Sequence, residues 1–327
     1  MARTAANKPS VDDPGRPGAP GERPAPLPHR TLRRTLLVTL AAILAAAAVT
    51  VVADAAAATR GEYRLSRSLV ASPRISADPE VTLAGFPYLQ RAASGSFSGV
   101  VVTARDVGVD GCRIASCRAE LGATLGSTTV PDGWSIGPDD TLRTRSVNAY
   151  TRLDSVNLGR FLGILDLTVN TPAPEDKAGG GGPQDGLLRR SSGVLLTGTV
   201  ALPPSSAPPE SESAPQGRPI PAKTPSAAAY RGRSAKVSVS VDLSVRDGRL
   251  HLQATGFYTG PEEHVTADAL AGDENADLRR QVLDRFSTTL PWLPLPWDLP
   301  ATGAQSEGSD VLLLAESGPR DLRPDRF

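Results

Sequence analysis

The chain has 327 residues, and its 35 Lys and Arg are balanced by 35 Asp and Glu. Zero net charge leaves no global pull toward nucleic acid, so no nucleic-acid partner is expected. Two cysteines cannot fill a zinc shell alone, and none of the three histidines lies near them in sequence.

Residues 1–34 are rich in Pro and Gly, and Arg3, Lys8, Arg16, Arg23, Arg30, Arg33 and Arg34 outnumber Asp12, Asp13 and Glu22. That composition predicts a disordered basic tail. Residues 35–53, TLLVTLAAILAAAAVTVVA, carry no charge. A run of about 20 apolar residues spans a bilayer core as a helix. Alanine adds little to insertion, so Leu36, Leu37, Val38, Leu40, Ile43, Leu44, Val49, Val51 and Val52 must carry it. Arg30, Arg33 and Arg34 would hold the N-terminal side in the cytoplasm and place the rest of the chain outside. The expectation is a single-pass cell-membrane protein with an extracytoplasmic domain. Ala53-Asp54-Ala55 and Ala56-Ala57-Ala58 also fit a small-x-small cleavage site, so a removed signal sequence is the rival reading. Both readings export the same domain.

Asp54 to Ala71 is rich in helix formers, with Gly61 its weak position, and Pro73 ends it. The pattern then changes to period two. Val81 and Leu83 alternate with polar neighbours, Val100 to Val102 is a β-branched run, and Ala119, Leu121, Ala123 and Leu125 alternate with polar or small residues. Residues 107–118 read as a strand, a turn and a returning strand. Outside the cytoplasm, Cys112 and Cys117 within it read as a disulfide rather than a metal site.

Two stretches, Thr171 to Ser192 and Pro203 to Arg233, are dominated by Gly, Pro, Ser and Ala. They read as disordered insertions, with a strand from Val194 to Leu202 between them. The clearest element is Lys236 to Thr255. Val237, Val239, Val241, Leu243 and Val245 alternate with polar residues, Asp247-Gly248 supplies a two-residue turn, and Leu250, Leu252 and Ala254 alternate on the return. Such arms suit an antiparallel sheet that is wet on one side. Asn275 to Thr288 is an amphipathic helix with Leu278, Val282 and Phe286 on one face. One exported domain therefore covers residues 54–316, and residues 317–327 read as a disordered tail.

No catalytic constellation is visible. His29 falls in the tail, His251 on a strand, and His264 beside Glu262 and Glu263 without a second histidine at ligand spacing. Gly95-Ser-Phe-Ser-Gly99 puts Phe where a nucleophile elbow needs Ser. Asp139-Asp140 beside Gly137 and Pro138 has a turn composition. No enzymatic activity, cofactor or metal is expected; a hydrolase or glycosyltransferase is the least favoured class. What stands out is Leu290-Pro-Trp-Leu-Pro-Leu-Pro-Trp-Asp-Leu-Pro300. Its prolines exclude an interior strand, yet Trp292, Leu293, Leu295, Trp297 and Leu299 need cover. It must pack on the domain, line a groove as a lid, or meet a lipid surface.

Val81-Thr-Leu-Ala-Gly-Phe-Pro-Tyr-Leu-Gln90, the hairpin around Asp247-Gly248, the Trp-Leu-Pro segment and the strand Val311–Ala315 together resemble the LmeA-like family of envelope phospholipid-binding proteins. Gly85-Phe86-Pro87-Tyr88-Leu89 is similar to the family's Gly-Phe-Pro-Phe-Leu signature. The resemblance covers about residues 55–316. It implies an α+β, mainly antiparallel fold, an elongated curved sheet packed on helices like the tubular lipid-binding folds. It also implies phospholipid binding and, in some members, support of lipoglycan elongation, which would make an envelope glycosyltransferase a partner. The candidate lipid-binding residues are Phe86, Tyr88, Leu89, Phe97, Phe161, Leu162, Phe286, Trp292, Leu293 and Trp297. The alternative is an envelope scaffold or protein-interaction domain without bound lipid.

Overall fold

The computed structural model describes residues 29–171, 190, 191, 193–202, 234–258, 270 and 272–327. Residues 1–28, most of both Pro- and Gly-rich insertions, and His264 lie outside them. The chain divides into two units, Met1–Val52 and Ala53–Phe327.

Helix α1 (His29–Leu69) starts inside the segment read as tail and runs through Gly61 as one helix. The residues after His29 already favour helix, with no proline to stop it. In the first unit every described side chain from Arg33 onward is exposed. Leu36, Ile43 and Val49 are 63%, 63% and 68% exposed. A helix so apolar and so bare is poorly suited to water, and α1 is long and apolar enough to cross a membrane.

Within the second unit α1 buries one face. Asp54, Gly61, Leu65, Ser68 and Leu69 are covered, at the three- and four-residue spacing of one helix face. Gly61 is required there. A Cβ at Gly61 would stand 1.8 Å from the Tyr88 hydroxyl, so the residue that weakens the helix by propensity admits a core tyrosine.

The seven-stranded sheet runs β1 (Glu80–Ala84), β3 (Gly99–Val109), β4 (Cys117–Leu125), β7 (Val147–Asp154), β15 (Asp310–Ser317), β14 (Gly303–Glu307) and β9 (Arg190–Ser191). The five-stranded sheet runs β13 (Thr288–Thr289), β12 (Arg249–Phe257), β11 (Ser234–Arg246), β10 (Gly193–Ala201) and β8 (Thr168–Asn170). The four-stranded sheet runs β16 (Arg320–Leu322), β6 (Leu142–Thr144), β5 (Thr128–Thr129) and β2 (Ser96–Phe97). The pairings between these strands are antiparallel. The α+β antiparallel class expected from the sequence is the observed one, and the sheets are open.

Period-two patterning decides the core. Val100, Val102, Leu121, Ala123, Val147, Ala149, Val311 and Leu313 are buried on the inner face of the larger sheet. Val237, Val239, Val241, Leu250 and Leu252 do the same in the five-stranded sheet. The β11–β12 turn has Asp247 at φ 49° and Gly248 at φ 71°, as a two-residue turn with both centres left-handed demands. One residue of the face read as wet is buried: Ser238 shares a 2.7 Å hydrogen bond with Thr197, its cross-strand partner.

Among the described residues three short α-helices follow α1: α2 (Tyr88–Ser94), α3 (Ser155–Leu162) and α4 (Ala276–Phe286). Helix α4 matches the predicted amphipathic segment. Helix α3 has its own local signals: Asp154 accepts the Asn157 N–H at 2.7 Å, and Gly163 closes the helix at φ 78°.

Residues 317–327 are a correction, since they fold rather than trail away. β16 pairs with β6, and the Phe327 side chain is fully buried. Ser72 donates to the Phe327 carbonyl at 2.7 Å, and Arg323 binds Asp139 and Asp325. Charge made this segment look like solvated tail; specific carboxylate partners and one aromatic hold it instead. The expected disulfide joins Cys112 to Cys117, with Cα atoms 6.0 Å apart, at the tip of the β3–β4 hairpin.

Candidate functional site

The Trp-Leu-Pro segment is fixed to the sheets by backbone groups its prolines leave available. Leu290 N–H donates to the Leu250 carbonyl at 2.8 Å, and buried Thr151 donates to the Pro294 carbonyl. Leu293, Leu295 and Leu299 then point into the core, each below 5% exposure. The segment therefore lies on the inner face of the seven-stranded sheet, occupying apolar surface there.

Its two tryptophans have opposite fates. Trp297 donates from Nε1 to the Arg323 carbonyl at 2.9 Å and meets Phe327 edge-on, ring centroids 4.9 Å apart. Its backbone is left-handed (φ 53°), as is that of Asp298 (φ 51°), a conformation a non-glycine residue holds only when its surroundings impose it. The Arg74–Asp298 pair, at 2.5 Å, is one such constraint. Trp292 is 62% exposed. Its ring lies over the β11–β12 turn, 3.1 Å from where a Gly248 Cβ would be.

Trp292 forms one wall of an open cleft of about 670 Å³. Pro291 and Pro294 continue that wall. Pro73 and Arg74, just beyond α1, and Gly108, Val109, Asp110 and Gly111 at the end of β3 supply the rest. The disulfide begins at the next residue, so the covalent clamp sits at the lip. Gly111 (φ 88°) has no room for a Cβ, which would fall 2.5 Å from Pro291. The volume lies within the roughly 300–1,000 Å³ of small-molecule sites. Its lining is mostly Pro, Trp, Val and Gly, with one cation, Arg74, and one anion, Asp110.

The other sequence-predicted residues are placed as follows. Tyr88, Phe97, Phe161, Leu162, Phe286 and Leu293 are buried, at 3% exposure or less. Tyr88 stacks obliquely on Phe97 at 5.9 Å and meets Trp134 edge-on at 6.5 Å. Burial raises the Tyr88 phenol above its usual range; Glu62 adds to the rise and Arg64 opposes it. Leu89 is half-buried, and Phe86 is 72% exposed. Of the predicted set only Trp292 lines the cleft.

Two residues that sequence reasoning missed matter more. Arg74 was hidden behind Pro73, which reads only as a helix stop. Asp54 looked like part of a cleavage motif. It is 5% exposed, and its carboxylate accepts the Tyr88 N–H at 2.9 Å and the Leu89 N–H at 2.8 Å. A lone acid directly after an apolar run was the available signal.

A second, polar concavity of about 270 Å³ lies on the outer face of the seven-stranded sheet, around Arg105, Glu120, Arg152 and Asp310. Its charges pair among themselves: Glu120 with Arg105 and Arg152, and Arg152 with Asp310 at 3.5 Å. Burial raises the Asp310 carboxyl despite Arg152. Among the described residues no group of three His, Cys, Asp or Glu side chains is placed to hold a metal ion.

No match was found among curated proteins or among solved structures. A family model does match, over residues 52–316, the stretch holding α2, the cleft and the Trp-Leu-Pro segment. The chain belongs to the LmeA-like phospholipid-binding family.

Proposed function

We propose that this protein binds phospholipid without catalysis, on the outer face of the cytoplasmic membrane, in the cleft flanked by Trp292. The observation that carries the reading is the cleft itself. In a chain of a phospholipid-binding family, a disulfide-clamped lip and a proline-stiffened wall hold a large aromatic open to solvent. Acyl chain entering it leaves water, at about 0.8 kcal/mol per buried methylene, and a phosphate at the rim would share the Arg74 guanidinium with Asp298. Service to envelope lipid or lipoglycan maintenance, with a glycosyltransferase partner, belongs to the same proposal and rests on the family alone.

The apolar part of α1 is proposed as a retained anchor rather than a cleaved signal. Cleavage after Ala55 would remove Asp54, the acceptor for two backbone donors at the start of α2. Cleavage after Ala58 would also remove Ala57 and Ala58, which pack against the core. Leaving buried donors unpaired costs about 1–3 kcal/mol each, so processing there would damage the domain it releases.

The test is uptake of a fluorescent phospholipid by residues 53–327, a unit that keeps Asp54, with mass spectrometry of organic extracts. Uptake that drops sharply in Trp292→Ala, with the melting curve unchanged, supports the cleft. A domain that neither carries nor takes up lipid would leave the scaffold reading standing.

A further inference from the structure

We propose that the Gly85-Phe86-Pro87 turn is a second bilayer contact, with Phe86 entering the boundary between headgroups and acyl chains. The proposal rests on the retained anchor argued above. The apolar run ends at Ala53 and Asp54 follows, so Asp54 is held covalently at the membrane surface whichever way the domain faces. Its carboxylate binds the Tyr88 and Leu89 N–H groups. Phe86 precedes Tyr88 by two residues, a chain reach of at most about 7 Å. The headgroup zone is itself about 5–8 Å deep on each side of the core. The turn therefore stays within reach of that zone as long as the two hydrogen bonds persist.

The residues suit the place. Phe86, 72% exposed, is the barest large apolar side chain described in residues 53–327, and Pro87 beside it is exposed too. Gly85 sits at φ 133°, and the space its Cβ would take is filled by the Arg91 side chain, 3.1–3.3 Å away. Glycine thus leaves room for the Arg91 side chain against the residue that precedes Phe86. An apolar group that inserts, flanked by a cation that stays with anionic headgroups, is the chemistry of an interfacial contact. Phe86 does not line the Trp292 cleft, so this contact is separate from lipid binding there.

The experiment uses the full chain in vesicles of equimolar phosphatidylcholine and phosphatidylglycerol. Phe86→Cys and, separately, Val156→Cys are labelled with an environment-sensitive maleimide dye, the native cysteines being bridged. Val156 is the comparison because it is exposed on α3, beside the disulfide. The dye at position 86 is expected to be quenched several-fold more by headgroup-labelled lipid than the dye at 156, and less by aqueous iodide. Equal iodide quenching at both positions overturns the wedge. The intact mass of the membrane-derived chain separates the two readings. A full-length chain with a water-exposed position 86 sinks the wedge alone, whereas a chain cut before residue 59 sinks the anchor and the wedge together.

Discussion

Two turns carry the conspicuous aromatics of this protein, and they are built alike. Around Gly85, exposed Phe86 precedes buried Tyr88; in the Trp-Leu-Pro segment, exposed Trp292 precedes Trp297, which is packed on Phe327. The difference lies in what holds them. A carboxylate from α1, next to the end of the apolar run, holds the first. Sheet residues Leu250 and Thr151 hold the second. Each turn thus uses one aromatic to stay in place and keeps another outside, but one is tied to Asp54 and the other lines the cleft.

The sharpest break in that comparison separates the two tryptophans. Trp297→Ala should cost about 3–5 kcal/mol in urea unfolding, as large-to-small core changes do. At the other turn, Asp54→Ala should cost about 1–3 kcal/mol per donor left unsatisfied. Asp54→Asn, which keeps one acceptor oxygen, should cost less. If both variants melt like the parent, α2 is not held by α1.

Gly61→Ala should lose about 1–3 kcal/mol by overpacking, because the new methyl meets the Tyr88 hydroxyl. Adding Tyr88→Phe should return part of that loss; an additive double mutant would mean the clash is relieved elsewhere. Opening the bridge with Cys112→Ser should cost about 2 kcal/mol on the loop-closure argument for so short a loop. The parent should not react with maleimide until it is reduced. The smallest stability effect, below about 1 kcal/mol as for surface changes generally, is expected for Trp292→Ala. Its consequence should appear in lipid uptake instead.

Strands were legible where alternation was clean. β4, β11 and β12 follow their period-two patterns, and Asp247-Gly248 marks its turn. Helix α3 escaped because a short helix offers little periodicity, although Asp154 and Gly163 cap it at both ends. The site was less legible for a physical reason. Core and pocket draw on the same residues, so Phe97 and Phe286 were indistinguishable in sequence from Trp292. Exposure depends on what the rest of the chain brings to cover a side chain. For Trp297 that cover is Phe327, in a segment whose charges suggested solvent.

The folded part of α1 also acts as a ruler. From Asp54 to Leu69 the helix rises about 22 Å, with the Phe86 turn tied at its start and Pro73 and Arg74 of the cleft just past its end. That exceeds the depth of one leaflet's hydrocarbon, about 15 Å. If the apolar run is retained as an anchor and the cleft takes up lipid, as proposed above, that lipid is either lifted clear of the leaflet or met by a domain lying flat on it. Dyes at positions 86 and 292 distinguish the two: quenched in turn, they describe a crane; quenched together, a raft.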